Sequence, residues 1–143
     1  MQDVASAFPG RTLRRKTVRC MGVGMVMLHA VQVRRAYEKP EESDGVRVLV
    51  DRLWPRGLAK EKAALDEWCK QVAPSGDLRT WYNHDPDRFE EFERRYCEEL
   101  ADPDRAEALE HLRGIARTRT LTLITATKHP EISEAEVLAR VLS

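Results

Sequence analysis

The sequence predicts a small α/β domain, a mostly parallel sheet covered by helices, and three observations predict it. Residues 46–50 and 121–126 are short apolar runs of strand length, the first β-branched and the second alternating threonine with apolar side chains. The longer segments between them carry apolar residues at helical spacing. The two patterns interleave along the chain, the order expected of helices crossing over a parallel sheet. A length of 143 residues with 42% apolar composition allows one core and not two ordinary ones.

The elements follow in order. Residues 29–37 alternate moderately through Ala30, Val31, Val33 and Ala36 and read as a first strand. Lys39-Pro40 and then Ser43-Asp44-Gly45 are turn chemistry, Asp-Gly being the strongest part. The 46–50 strand ends at Asp51-Arg52, because Pro55 and Gly57 forbid regular structure beyond it. Over residues 60–73, Ala64, Leu65, Trp68, Cys69 and Val72 recur at helical spacing and favour an amphipathic helix. A strand over 65–72 fits less well.

Pro74-Ser75 ends that segment, and Ser75 can cap a short helix carrying Leu78, Trp81 and Tyr82 on one face. Asp85-Pro86 is an N-cap followed by proline at the first helical position, and Phe89, Phe92, Tyr96 and Leu100 form the stripe behind it. Asp102-Pro103 repeats that start, with Ala106, Leu109 and Leu112 behind it and Gly114 suited to a left-handed C-terminus. Ser133 and Glu136 form a capping box for the last helix, with Ile132 and Val137 as the flanking apolar pair. Three strands are few for a sheet, so a fourth strand, or a hairpin pairing of the first two, is left open.

The N-terminus differs from the rest. Arg11, Arg14, Arg15, Lys16 and Arg19 precede an apolar run over residues 21–31, a superficial likeness to a secretory signal. The run is too short to span a membrane, and Arg34 and Arg35 follow it directly. The expectation is a disordered basic extension or an upstream start over 1–26, with one domain over 27–143. Without that extension the domain carries 19 basic and 23 acidic residues, a net of about −4. Such a domain is a poor general binder of phosphate backbones, so nucleic-acid binding is not expected unless the tail provides it. Cys20, Cys69 and Cys97 lack metal or redox spacing and read as free thiols of a reducing compartment.

Ligands of open parallel sheets bind beyond the carboxyl ends of the strands. Two strands end in polar, irregular segments: Asp51-Arg52-Leu53-Trp54-Pro55-Arg56-Gly57, and Thr125-Ala126-Thr127-Lys128-His129-Pro130. If those strands are parallel neighbours, both segments share one rim. Arg52 and Arg56 then offer rigid forks of donors suited to phosphate, sulfate or carboxylate, unless Asp51 or another acid pairs them internally. Trp54 fits a role as cover for the core. His84 stands beside Asp85, the pairing used in acid-base work, although Asp85 is also the expected helix cap. Arg79 either joins the arginine cluster or pairs with an acid of the next helix. Lys128 and His129 follow the last strand as further candidates, and His29 and His111 carry no signal. No Gly-rich phosphate loop, nucleophile elbow or metal-binding spacing occurs.

These residues together resemble the DUF488 family, in its YeaO-like branch of small bacterial proteins. Three blocks over roughly 29–142 carry the resemblance. They are DGVRVLVDRLWPRG from Asp44 to Gly57, the stretch from Trp68 to Leu100 that holds Arg79 and His84-Asp85-Pro86, and LTLITATK with Val137-Leu138. The resemblance implies an α/β fold and a bacterial cytosolic protein, and no assigned activity comes with it. Family members often carry a His-Asn pair before the last helix, where this chain reads Lys128-His129-Pro130-Glu131-Ile132-Ser133.

The expected function is binding of a small anionic ligand, a phosphorylated metabolite or nucleotide, through Asp51, Arg52, Arg56, Arg79 and Lys128. His84 and Asp85 are the candidate acid-base groups. The alternatives are a non-enzymatic interaction or regulatory module, marked by an exposed apolar patch in place of a cavity, and nucleic-acid binding through the basic tail. No cofactor, metal or membrane is expected.

Overall fold

The computed structural model describes residues 30–143. The basic extension, Cys20 and His29 lie outside the described residues. Four strands, β1 (Val31–Arg35), β2 (Val46–Leu49), β3 (Glu67–Trp68) and β4 (Leu121–Thr125), form one sheet in the order β1-β4-β2-β3. Every neighbouring pair is parallel, with Val31 and Val46 both opposite Leu121. Around the sheet run α1 (Lys60–Ala63), α2 (Gly76–Tyr82), α3 (Phe89–Glu99), α4 (Pro103–Thr118) and α5 (Glu134–Leu142).

Alternation along the central strands divides the core. Val46, Val48, Leu121 and Leu123 face the helical side, where they meet Phe92, Tyr96, Leu112, Val137 and Leu138. Leu49 and Ile124 face the other side, where Trp54, Leu58 and Leu65 cover them with Ala36. The RLWPRG segment and α1 therefore act as the lid of the second sheet face. Both faces are dry, as the near-continuous apolar character of β2 and β4 requires.

The fourth strand is β3, and it corrects the helix expected over 60–73. Only one helical turn forms, α1, which ends at Ala64 in the left-handed region (φ 49°). The cause is Arg47. Its Nη2 donates to the Ala63 carbonyl at 2.9 Å and its Nε to the Ala64 carbonyl at 3.1 Å, while its backbone N–H donates to Asp66 Oδ2 at 2.8 Å. Those bonds take the carbonyls a longer helix would use and hold Glu67-Trp68 alongside Val48-Leu49. Cys69 and Val72 are buried from a short 3₁₀ segment, so the helical spacing is satisfied without a helix.

A second correction concerns Gly114. The helix α4 runs through it to Thr118, because Ala116, buried, and Ile115, partly buried, continue the apolar stripe beyond it. Three other helix starts are capped by the expected residues, although Glu136 bonds Arg140 and does not complete a capping box with Ser133. Ser75 Oγ accepts from Leu78 N–H, Asp85 caps the 3₁₀ turn Pro86–Arg88 that leads into α3, and Ser133 Oγ accepts from Glu136 N–H. Asp102 makes no side-chain cap bond and instead pairs with Arg105 at 3.3 Å.

Beneath the loop before β2, Asp44 is fully buried and accepts from Arg34 at 3.0 Å, Arg47 at 2.5 Å and the Glu41 N–H at 3.1 Å. Burial alone would raise this carboxyl; the donors outweigh it and hold it below the usual range. Gly45, the next residue, has φ +65°, and a Cβ there would overlap the Thr120 carbonyl oxygen. Gly57 has φ +76° in open space. Substitution at the two should therefore differ. Gly45→Ala is expected to cost about 2–4 kcal/mol through overlap and backbone strain together, and Gly57→Ala about 1 kcal/mol from strain alone. Urea denaturation of the two variants checks this, and equal costs would contradict it.

Candidate functional site

Because β2 and β4 are parallel neighbours, the segments after them do share one rim. Asp51 joins them. Its Oδ1 accepts from Thr125 Oγ1 and its Oδ2 from Ala126 N–H, both at 2.8 Å, and Trp68 Nε1 donates to its carbonyl at 2.8 Å. The RLWPRG segment is fixed from outside as well. Tyr37 Oη donates to the Arg56 carbonyl at 2.8 Å, and Trp54 Nε1 donates to the Leu58 carbonyl at 2.7 Å. Trp54 meets Trp68 edge-on at 5.6 Å, so it covers the core as expected.

Between this rim and the start of α5 lies a cavity of about 570 Å³, a size suited to a small molecule. Asp51, Arg52, Arg56, Arg79 and His84 all line it, together with Asn83, Tyr82 and Thr125. Two expected residues do not. Lys128 is exposed and is not among the lining residues, and Asp85 takes its cap bond from Asp87 N–H at 3.0 Å and pairs with Arg88. Of His84 and Asp85, neighbours in sequence, only His84 lines the cavity.

The wall carrying His84 is conformationally unusual. Asn83 (φ 48°) and His84 (φ 54°) are consecutive left-handed residues at the end of α2. Asn and His tolerate this region better than most, yet each placement costs on the order of 1 kcal/mol and persists only where surrounding structure enforces it. Here the enforcement is visible. Asn83 N–H donates to the Arg79 carbonyl and Asp85 N–H to the Tyr82 carbonyl, both at 3.0 Å. Tyr82 is itself locked, stacked on Phe92 at 4.1 Å with its hydroxyl donating to the Ile132 carbonyl at 2.6 Å.

The arginines divide sharply by partner. Arg34, Arg47, Arg88, Arg94, Arg95, Arg105, Arg113, Arg117 and Arg140 hold carboxylates, and Arg35 donates to the Thr127 carbonyl. Among the described residues, Arg52, Arg56, Arg79 and Arg119 hold none, and three of those four line the cavity. Arg52 also lies close over Gly76 at the start of α2, where a Cβ would sit 3.2 Å from its Nη1.

Sequence reasoning missed Glu134, which lies on the cavity floor beside Asp51. The only signal was an acid in the first turn of a well-capped helix, ordinarily explained by the helix dipole. The Glu134 carboxyl hydrogen-bonds that of Asp51, with Oε2 near Thr125 Oγ1 at 3.4 Å and the Ala135 N–H at 3.1 Å. Thr125 has one hydroxyl hydrogen for two carboxyls, and the shorter bond goes to Asp51. Burial, then the adjacent Asp51 charge, pushes Glu134 up to about 8, while burial raises Asp51 against the donors that hold it. Of the two, Glu134 has fewer donors and is the partner held further toward its protonated form. Among the described residues no group of three His, Cys, Asp or Glu side chains is gathered for a metal ion.

Residues 30–143 match a family model described as the inactive DUF488-N3 subclade, DUF488-N3i. The chain belongs to this family. It is 48% identical over 119 residues to the uncharacterised protein Rv3073c of Mycobacterium tuberculosis strain H37Rv, covering 83% of this chain and 98% of that one. It is also 40% identical over 109 residues to the uncharacterised protein YeaO of Escherichia coli K12, covering 76% of this chain and 93% of that protein. No solved structure matches. Among the described residues no helix is long and apolar enough to cross a membrane.

The raised Glu134 carboxyl makes stability depend on pH. Glu134 binds its proton more tightly folded than unfolded, so its contribution is complete below the ordinary glutamate range and is lost as pH rises through about 8. Glu134→Gln keeps the neutral form at every pH. The variant should match wild type near pH 4 and exceed it at pH 9 by on the order of 1–3 kcal/mol, discounted for partial exposure. Urea midpoints at the two pH values check this, and a constant difference would contradict it.

Proposed function

We propose that this protein binds a small molecule in the cavity beneath RLWPRG through an anionic group, as a phosphorylated metabolite or nucleotide presents. The observation that carries the reading is the set of unpaired guanidiniums of Arg52, Arg56 and Arg79 around one cavity. Arg52 and Arg56 come from one fixed turn and Arg79 from α2, and one multivalent anion can fill donor forks from both elements. The reading is one of binding, not turnover. Asp85 is engaged by the Asp87 N–H and Arg88, and the family is described as an inactive subclade. His84 then serves as a polar wall of the cavity.

A cavity with convergent polar groups favours this reading over docking of a protein partner on an apolar patch. The free thiols Cys69 and Cys97 fit a cytoplasmic location.

Thermal denaturation in inorganic phosphate tests the proposal. At about ten times Kd, the melting temperature of wild type should rise by roughly 5 °C. Arg52→Ala and Arg79→Ala should abolish the rise, and Arg119→Ala, which removes an unpaired arginine outside the cavity, should retain it. An equal rise in all four proteins, or none in wild type, would overturn the reading.

A further inference from the structure

The cavity is polarised. Its rim carries the unpaired guanidiniums of Arg52, Arg56 and Arg79, and its floor carries Asp51 and Glu134. About 570 Å³ is far more than an inorganic anion fills, so a ligand anchored at the arginines extends to that floor. What it meets there decides its chemistry.

The Asp51 carboxylate is spoken for by Thr125 and Ala126, and Glu134 Oε2 by Ala135 N–H. Glu134 also bonds the Asp51 carboxyl, and beyond these bonds the pair keeps spare lone pairs as acceptors on the cavity lining. A second anionic group there would face two carboxyls, Asp51 and Glu134. An apolar group would strip water from the carboxyls without replacing its hydrogen bonds, which is costly. An ammonium group would suit the floor but would stand in the same cavity as three guanidiniums. A hydroxyl meets none of these objections, since it donates to the remaining carboxyl lone pairs without adding charge.

We infer that the ligand is a phosphate monoester bearing hydroxyl groups at its other end, the phosphate held by the arginines and the hydroxyls by the Asp51–Glu134 pair. This rests on the anion-binding reading above and adds the second half of the molecule. A neutral polyol tail adds no charge beside the buried carboxyls.

Titration calorimetry at pH 7 with three probes tests the inference: glycerol 1-phosphate, n-propyl phosphate and phosphoethanolamine. The first two share charge and length and differ only in two hydroxyls. Wild type should bind glycerol 1-phosphate about tenfold more tightly than propyl phosphate, the effect of one or two well-placed hydrogen bonds. Glu134→Leu, verified as folded by circular dichroism, should bring the ratio close to one. Equal affinity of wild type for glycerol and propyl phosphates, with both weakened by Arg79→Ala, would overturn this inference and leave anion binding standing. Tightest binding of phosphoethanolamine would overturn it in favour of an ammonium group. Binding of no probe would overturn the anion reading itself.

Discussion

Two parallel strands leave the sheet side by side at β2 and β4, and their following loops have no backbone ladder to keep them together. The Asp51 carboxylate supplies that tie by accepting Thr125 Oγ1 and Ala126 N–H across the strand ends. Everything above the sheet depends on it. With Asp51 fixed, Trp68 reaches its carbonyl, RLWPRG folds back over Leu49 and Ile124, and Arg52 and Arg56 come to the same rim as Arg79. The segment closes one face of the core and frames the cavity with the same residues. Packing and the candidate site are therefore one construction.

The two buried acidic centres show how position decides chemistry. Asp44 sits where the guanidiniums of Arg34 and Arg47 converge on it, and its carboxyl falls below the usual range. Asp51 and Glu134 sit among backbone N–H groups and one hydroxyl, and both rise, Glu134 to about 8. The residue types are alike, and the difference lies in where the arginines point. At Asp44 they are consumed in holding the loop before β2. At the cavity they remain available, which is why the first centre reads as architecture and the second as a place for a ligand.

Much of this was legible in the sequence because the signals were local or periodic. The β-branched run at Val46, the caps at Ser75 and Ser133 and the Phe92–Tyr96 stripe each name their element without tertiary help. Arg52, Arg56, Arg79 and His84 could be selected because strand ends and a capped helix start are where side chains reach a shared rim. The rest needed three-dimensional facts. Arg47 reads as a strand residue, and nothing near it says that its guanidinium will capture Ala63 and Ala64 and end a helix early. Glu134 looks like a helix-dipole acid until Asp51 is placed beside it. Asp85 and Lys128 were chosen for adjacency, and neither is among the lining residues, Asp85 being taken up by its cap bond and Arg88.

The central claim is that three arginines of one cavity act together on one anion. The most direct measurement is an NMR titration of arginine Nε–Hε resonances with inorganic phosphate. The account predicts that Arg52, Arg56 and Arg79 shift along one saturating curve while the ion-paired Arg94 and Arg140 stay in place. Shifts spread evenly over all exposed arginines, or three curves with unrelated midpoints, would contradict it.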